Sequence, residues 1–219
     1  MVRDRRRSRL ARGIQEELIK YFCAGVPART AAQIVDVNRN TAILFYHKLR
    51  EVIFAALEAE TPELMRGEIE VDESYFGGHR KGKRGRGAAG KVAVFGLLKR
   101  QGKVHVVTIP DARSATLIPI IREKIRPDSI VYTDSFKSYD VLDVSEFKHL
   151  RINHSMLFAD QRNHINGIEN FWNQAKRHLR GYNGIATQNF HLFIKECEWR
   201  FNYRPVARMQ AVLNDWWFK

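Results

Sequence analysis

GEIEVDESYFGG, residues 67–78, decides the fold of the larger part of this 219-residue chain. Ile69 and Val71 alternate with Glu68, Glu70 and Asp72, which is the period of a strand and not of a helix. The acid Asp72 terminates the apolar run, where a carboxylate inside a sheet is costly unless something positive meets it. The stretch SIVYTDSFKSY (129–139) repeats the pattern, a short apolar strand followed at once by Asp134. If these two strands are neighbours, Asp72 and Asp134 lie side by side. One of two carboxylates at short range must then protonate, or a cation must bridge them.

Around these two strands, KVAVFGLLKR (91–100) and KVHVVTIPDA (103–112) are β-rich runs joined by a hairpin at RQGK. SATLIPIIREKI (114–125) is an amphipathic helix with Ser114 or Thr116 near its N-cap and Pro127 beyond its end. HLRINHS (149–155) supplies one more short strand. HINGIENFWNQAKRHLR (164–180) reads as a helix: Ile165, Ile168, Trp172, Ala175 and Leu179 fall on one side. Asn166, Glu169, Asn173, Lys176 and Arg180 form a polar line along the edge of that buried stripe, neighbours at helical spacing. A last helix, NFHLFIKECEWRFNYR (189–204), runs up to Pro205. The order predicts an α/β domain, a mixed sheet covered by helices.

The first 60 residues differ in kind. GIQEELIKYFCAG (13–25), ARTAAQIVDV (28–37) and TAILFYHKLREVIFAALEAE (41–60) are all helical, with a tight turn around Asn38 and Asn40. That is helix-turn-helix spacing, and it exposes Arg39, Asn40 and Thr41 where a recognition helix meets base edges. A basic arm holding Arg3, Arg5, Arg6, Arg7, Arg9 and Arg12 precedes it. The domains predicted are residues 1–60 for DNA binding, a linker at 61–67, a catalytic domain at 68–205 and a C-terminal tail at 206–219.

Composition favours a polyanionic partner: 37 Lys and Arg against 24 Asp and Glu leave a net charge of +13. Anionic membrane is the weaker candidate, since the longest apolar run, VAVFGLL (92–98), is far too short to span a bilayer. No signal-peptide core follows the arginines, so a cytoplasmic location is expected. The two cysteines, Cys23 and Cys197, give neither a disulfide framework nor a Cys-type zinc site. Asp72, Asp134 and Glu169 are hard oxygen donors that suit Mg²⁺ or Mn²⁺ rather than zinc. Two such ions clamp the attacking and leaving oxygens in phosphoryl transfer. A basic chain with a DNA-reading module therefore points to phosphodiester chemistry on nucleic acid.

The motifs VDESYFGGHRKGKRGRG (71–87), IVYTDSFKSY (130–139), FKHLRINHS (147–155) and NHINGIENFWNQAKRHLR (163–180) resemble the DDE transposases of bacterial insertion sequences, of the fifteen-ninety-five family and its ten-sixteen branch. The resemblance implies an RNase H-like catalytic domain and metal-dependent cleavage and joining of double-stranded DNA. It carries the three acids onto Asp72, Asp134 and Glu169, and the accompanying base onto Lys176. Asn166, one turn before Glu169, is a further metal ligand or substitute, since some relatives use asparagine third. The chain departs from relatives that begin with a zinc ribbon, having no cysteine pairs for one. Bringing two DNA ends together implies a homo-oligomer on DNA.

Other basic residues fit the same picture. The glycine-rich loop at 77–91 holds Arg80, Lys81, Lys83, Arg84, Arg86 and Lys91 with no acid among them, suited to moulding onto a phosphate backbone. Lys176 and Arg180 extend that surface along the helix. Tyr75, Tyr132 and Tyr139 lie near the acids, but no Arg-His-Arg pattern accompanies them, so a tyrosine-recombinase reading is set aside. The competing readings are a structure-specific nuclease on the same fold and a transposase-derived DNA-binding protein without catalysis.

Overall fold

In the computed structural model, residues 8–60, 64–77, 91–134, 147–151, 165–182 and 184–219 are described. They form two compact units: residues 61–202, and residues 1–60 together with 203–219.

The larger unit is built on five strands: β1 (Glu68–Phe76), β2 (Val92–Lys99), β3 (Val104–Ile109), β4 (Ile130–Thr133) and β5 (Lys148–Arg151). Their order is β3-β2-β1-β4-β5. The first three are an antiparallel meander, while β4 joins β1, and β5 joins β4, in parallel. Helix α4 (Ser114–Lys124) makes the crossover from β3 to β4, and α5 (Asn166–Leu179) and α6 (Phe190–Asn202) follow the sheet. Each face carries its own core. Ile69, Val71, Phe95 and Leu97 pack with Leu117, Ile118 and Ile121 of α4. Phe76, Val94, Leu98 and Val106 pack with Ile168, Phe171 and Trp172 of α5 and with Ile194 of α6. This is the mixed α/β sheet flanked by helices that the sequence motifs implied. The five residues of the expected apolar stripe on α5 (Ile165, Ile168, Trp172, Ala175, Leu179) are all buried.

Two local expectations change. Asp72 does not end its strand, because β1 runs on to Phe76, paired with β2 up to Phe76↔Val92. Only the parallel pairing with β4 stops, at Glu70↔Tyr132. Part of the stretch read as a linker, 61–67, is tied to the sheet unit as well: Met65 exchanges backbone hydrogen bonds with Lys124 and Arg126, at 2.8 Å each.

The sheet edge at β3 is closed by side chains of α6. Glu198 accepts the Val106 amide at 3.0 Å, and Asn202 both accepts from the Val104 amide (2.9 Å) and donates to its carbonyl (2.8 Å). Three of the backbone groups that an edge strand leaves open to another chain are thereby occupied. Glu198 is itself buried and paired with Lys195 at 3.0 Å. Two residues before it, the fully buried Glu196 pairs with Arg200 (2.8 Å) and His178 (3.0 Å), which ties α6 to the end of α5.

The smaller unit holds α1 (Arg12–Cys23), α2 (Ala28–Ile34), α3 (Arg39–Ala59) and α7 (Val206–Phe218). The segment expected as a C-terminal tail, 206–219, is thus a helix. Pro205 cannot continue α6 but is tolerated at a helix start, and it stands at the N-cap of α7. Met209 and Leu213 of α7 are buried, and Trp217 packs edge-on against Phe45 and donates to Gln15 at 2.8 Å. Between α2 and α3 the chain turns through Asp36, at φ 50°, and Asn38 caps α3 by accepting the Asn40 amide at 2.8 Å. Removing that cap in Asn38→Ala should cost about 1 kcal/mol, read as a lower urea midpoint with an unchanged slope. An unchanged midpoint would remove the cap from the account of α3.

Candidate active site

Strand β1 is the centre of the sheet, and of its acids Glu70 and Glu73 are buried, Asp72 is half-buried and Glu68, at the start of the strand, is exposed. Carrying the β1–β4 register on by two residues brings Asp134 level with Asp72. Asp72 faces α5. Its neighbour across the ladder is Gly96, and a Cβ there would stand 2.7 Å from the Trp172 ring. The missing side chain lets the indole lie over β2 and donate its Nε1–H to Asp72 Oδ2 at 3.0 Å. Burial pushes the Asp72 carboxyl up to about 7, and the charges of Glu73 and Asp134 push the same way. The Glu73 amide and the Trp172 indole oppose that shift without cancelling it. A carboxylate so placed, beside a second one, favours either a proton or a cation.

Glu70 lies on the same face, two residues before Asp72, and is 1% exposed. Its Oε2 accepts the Ile168 amide at 2.9 Å, one of the amides that the first turn of α5 leaves without a partner in the helix. Its Oε1 takes the Arg100 guanidinium at 3.0 Å. Arg100 also reaches Glu68 at 3.2 Å and stacks on the Tyr132 ring, 3.7 Å from its centroid. Tyr132 donates its hydroxyl to Glu68, which makes it a structural residue. The alternation in GEIEVDES puts Glu70 on the same strand face as Glu68 and Asp72. What it could not show is that the strand is central, with an arginine waiting at the hairpin.

Glu169 sits in the first turn of α5, half-buried, between the Ile168 amide on Glu70 and the Trp172 indole on Asp72. Asn166, at the first position of the helix, is exposed. Among the described residues no three carboxylate, histidine or cysteine side chains are gathered closely enough to hold a metal ion. The pair Asp72 and Asp134 is brought together, and Glu169 is held on the adjoining helix. All three offer hard carboxylate oxygens, the donor chemistry that Mg²⁺ and Mn²⁺ take.

Of the residues read as DNA contacts, Arg39, Asn40 and Thr41 are exposed in the first turn of α3. Lys176 and Arg180 are exposed towards the end of α5, with the Lys176 ammonium 5.9 Å from the Phe76 ring centroid. Arg80, Lys81, Lys83, Arg84 and Arg86, like Tyr139, lie outside the described residues. No helix among the described residues is long and apolar enough to cross a membrane.

An α/β sheet unit with paired acids at its centre is one half of the identification, and comparison with known proteins supplies the other. The ISXO2-like transposase domain matches residues 64–202. The chain belongs to that transposase family. An uncharacterized transposase-like protein of Haemophilus influenzae is 62% identical over 113 residues, covering 52% of this chain and 92% of that one. An uncharacterized protein in transposable element ISH50 of Halobacterium salinarum is 26% identical over 184 residues, covering 76% of this chain and 61% of that one. Among solved structures, the Mos1 strand transfer complex is 10% identical with a TM-score of 0.30, covering 98% of this chain and 80% of that chain. That likeness is too distant to carry an argument.

Proposed function

We propose that this protein is an insertion-sequence transposase that binds the terminal inverted repeats of its element and catalyses cleavage and strand transfer at one DDE site. The observation that supports the reading is the parallel β1–β4 register, whose last pair, Glu70↔Tyr132, lies two residues before Asp72 and Asp134, in a chain of this family. Asp72, Asp134 and Glu169 would hold the divalent ions. Divalent ions there supply a lowered pKa for the attacking hydroxyl and neutralise charge on the transferring phosphate. The protein's own part is to hold the acids rigidly. Trp172 fixes one Asp72 oxygen, and the α5 stripe fixes Glu169 beside the core. Lys176 and Arg180, exposed on the same helix, would meet the DNA backbone. Arg39, Asn40 and Thr41 would read base edges at the element's ends, and two or more copies would bring those ends together. The net charge of +13 supplies the field that draws the DNA in.

The test uses purified protein, labelled DNA carrying the element's own ends and a supercoiled target plasmid. Joined products should form with Mg²⁺ or Mn²⁺ and disappear with EDTA. Glu169→Gln should slow joining by about a hundredfold, the usual loss for one charge-stabilising group. Cleavage without joining would move the protein to the nuclease reading. Binding without chemistry in either metal would leave a DNA-binding protein and sink the proposal.

A further inference from the structure

The site has a component that no catalytic role accounts for. Glu70 is buried, acidic and two residues from Asp72, where a further negative charge is unfavourable for the fold. It is retained in a specific set of contacts. One oxygen meets the Ile168 amide and the other meets Arg100. Opposite it stands Gly167, where a Cβ would come within 2.8 Å of Glu70 Oε2 and 2.6 Å of Leu98 Cδ2. The first turn of α5 is therefore fitted onto the Glu70 carboxylate, and only glycine permits the approach.

The spacing explains what this does. α5 touches β1 at two polar points, Ile168 on Glu70 and Trp172 on Asp72. Four residues of helix advance about 6 Å, and two residues of strand about 6.6 Å. The two distances match, so strand and helix are locked in register along their length. Glu169 projects from the segment between those two points. A helix pinned at one end only could slide or rotate, and a shift of about 1 Å is enough to spoil a metal site.

We propose that Glu70, braced by Arg100, is a positioning residue: it seats the N-terminal turn of α5 on β1 and so sets Glu169 at its working distance from Asp72 and Asp134. This rests on the transposase reading above, and it concerns placement and not contact with DNA. Arg100 holds the Glu70 carboxylate in one rotamer, and Glu68 and the Tyr132 ring hold Arg100. The chain order helps as well. Glu68, Glu70 and Asp72 share one strand face, so the brace and the first site acid are set by the same stretch of backbone.

The test measures Mn²⁺ binding by electron paramagnetic resonance, alongside joining activity, in the full-length protein. Glu70→Gln keeps an oxygen for the Ile168 amide and loses the charge that Arg100 grips. Gly167→Ala keeps every charge and lifts the turn off Glu70. Both should weaken Mn²⁺ binding by roughly tenfold or more, the usual loss when a group that orients a metal ligand is removed. DNA affinity should stay near wild type, while the thermal midpoint should fall in both variants, from overpacking at Gly167 and from the lost charge at Glu70, so Mn²⁺ binding is compared at a temperature where every variant is folded. The decisive comparison is the Glu169→Ala background, where Glu70→Gln should have no further effect on Mn²⁺ affinity. An equal tenfold loss in both backgrounds, or Mn²⁺ affinity untouched by both variants, would overturn the proposal while leaving the transposase reading intact. Wild-type protein that bound no Mn²⁺ and joined no DNA would instead overturn the transposase reading, and this inference with it.

Discussion

Asp72→Asn should destroy strand transfer and, in the metal-free protein at pH 8, make the fold more stable. The two effects have one cause. Asp72 is half-buried against Trp172, and burial, with the charges of Glu73 and Asp134 in support, raises its carboxyl to about 7. A carboxyl raised in the fold above its unfolded value near 4 binds its proton more tightly when folded. Its contribution is whole below about pH 4 and drains away as pH rises through 7, leaving a charged group in a poor place. The asparagine keeps an oxygen for the Trp172 indole and carries no charge. At pH 8 it should gain on the order of 2–4 kcal/mol over wild type, and at pH 4 nothing. Joining should meanwhile fall by at least about a thousandfold, since a carboxylate that would hold the divalent ions is gone. Thermal unfolding at pH 4 and pH 8, with and without Mg²⁺, checks this. Mg²⁺ should narrow the pH 8 gap by stabilising wild type alone. Equal midpoints at pH 8 would mean that Asp72 is not held in a strained pair.

The same residues show how far the sequence could be read. The period-two run at Ile69 and Val71 announced a strand, and the stripe Ile165, Ile168, Trp172, Ala175, Leu179 announced which side of α5 is buried, because both patterns are local and repeat. The neighbours of β1 were less visible. Its partners β2 and β4 both follow it in the chain yet flank it on opposite sides in the sheet, and only their joint presence makes the strand central and Glu70 a buried acid. Gly96 and Gly167 gave no signal, since their role is the room they leave for Trp172 and Glu70, side chains remote in sequence. The C-terminal helix was missed for a related reason. MQAVLNDWWFK matches no catalytic pattern, and its apolar residues acquire a function only against α1 and α3, some 150 residues and more earlier in the chain. Acids at the end of β4 and on the edge of α5 could be picked out because charge in an apolar setting is conspicuous. The brace that orients them could not, because its parts are ordinary until the fold assembles them.

The largest loss of stability should follow Glu198→Ala, a residue far from the chemistry in the proposed mechanism. Glu198 is 3% exposed. Burial alone would raise its carboxyl, but the His105 hydrogen bond, the Lys195 charge and the Val106 amide outweigh that and hold it below the ordinary range. Truncation would leave Lys195, itself buried, without its 3.0 Å partner and would free the Val106 amide on the sheet edge. Breaking a buried pair from one side costs about 3–5 kcal/mol, a large part of a domain's total stability. The sign with pH is fixed by the depressed carboxyl: its contribution is complete above about pH 4.4 and is lost as pH falls through the folded value. Wild type and Glu198→Ala should therefore converge in acid and differ most near neutrality, as followed by urea unfolding across that range. Exposing the β3 edge should also make the variant aggregate on heating. The double variant Glu198→Gln with Lys195→Met separates the two causes. It keeps an oxygen for the Val106 amide and removes both charges, so it should recover most of the loss. If it were as unstable as Glu198→Ala, packing around α6, and not the ion pair, would be what this carboxylate secures.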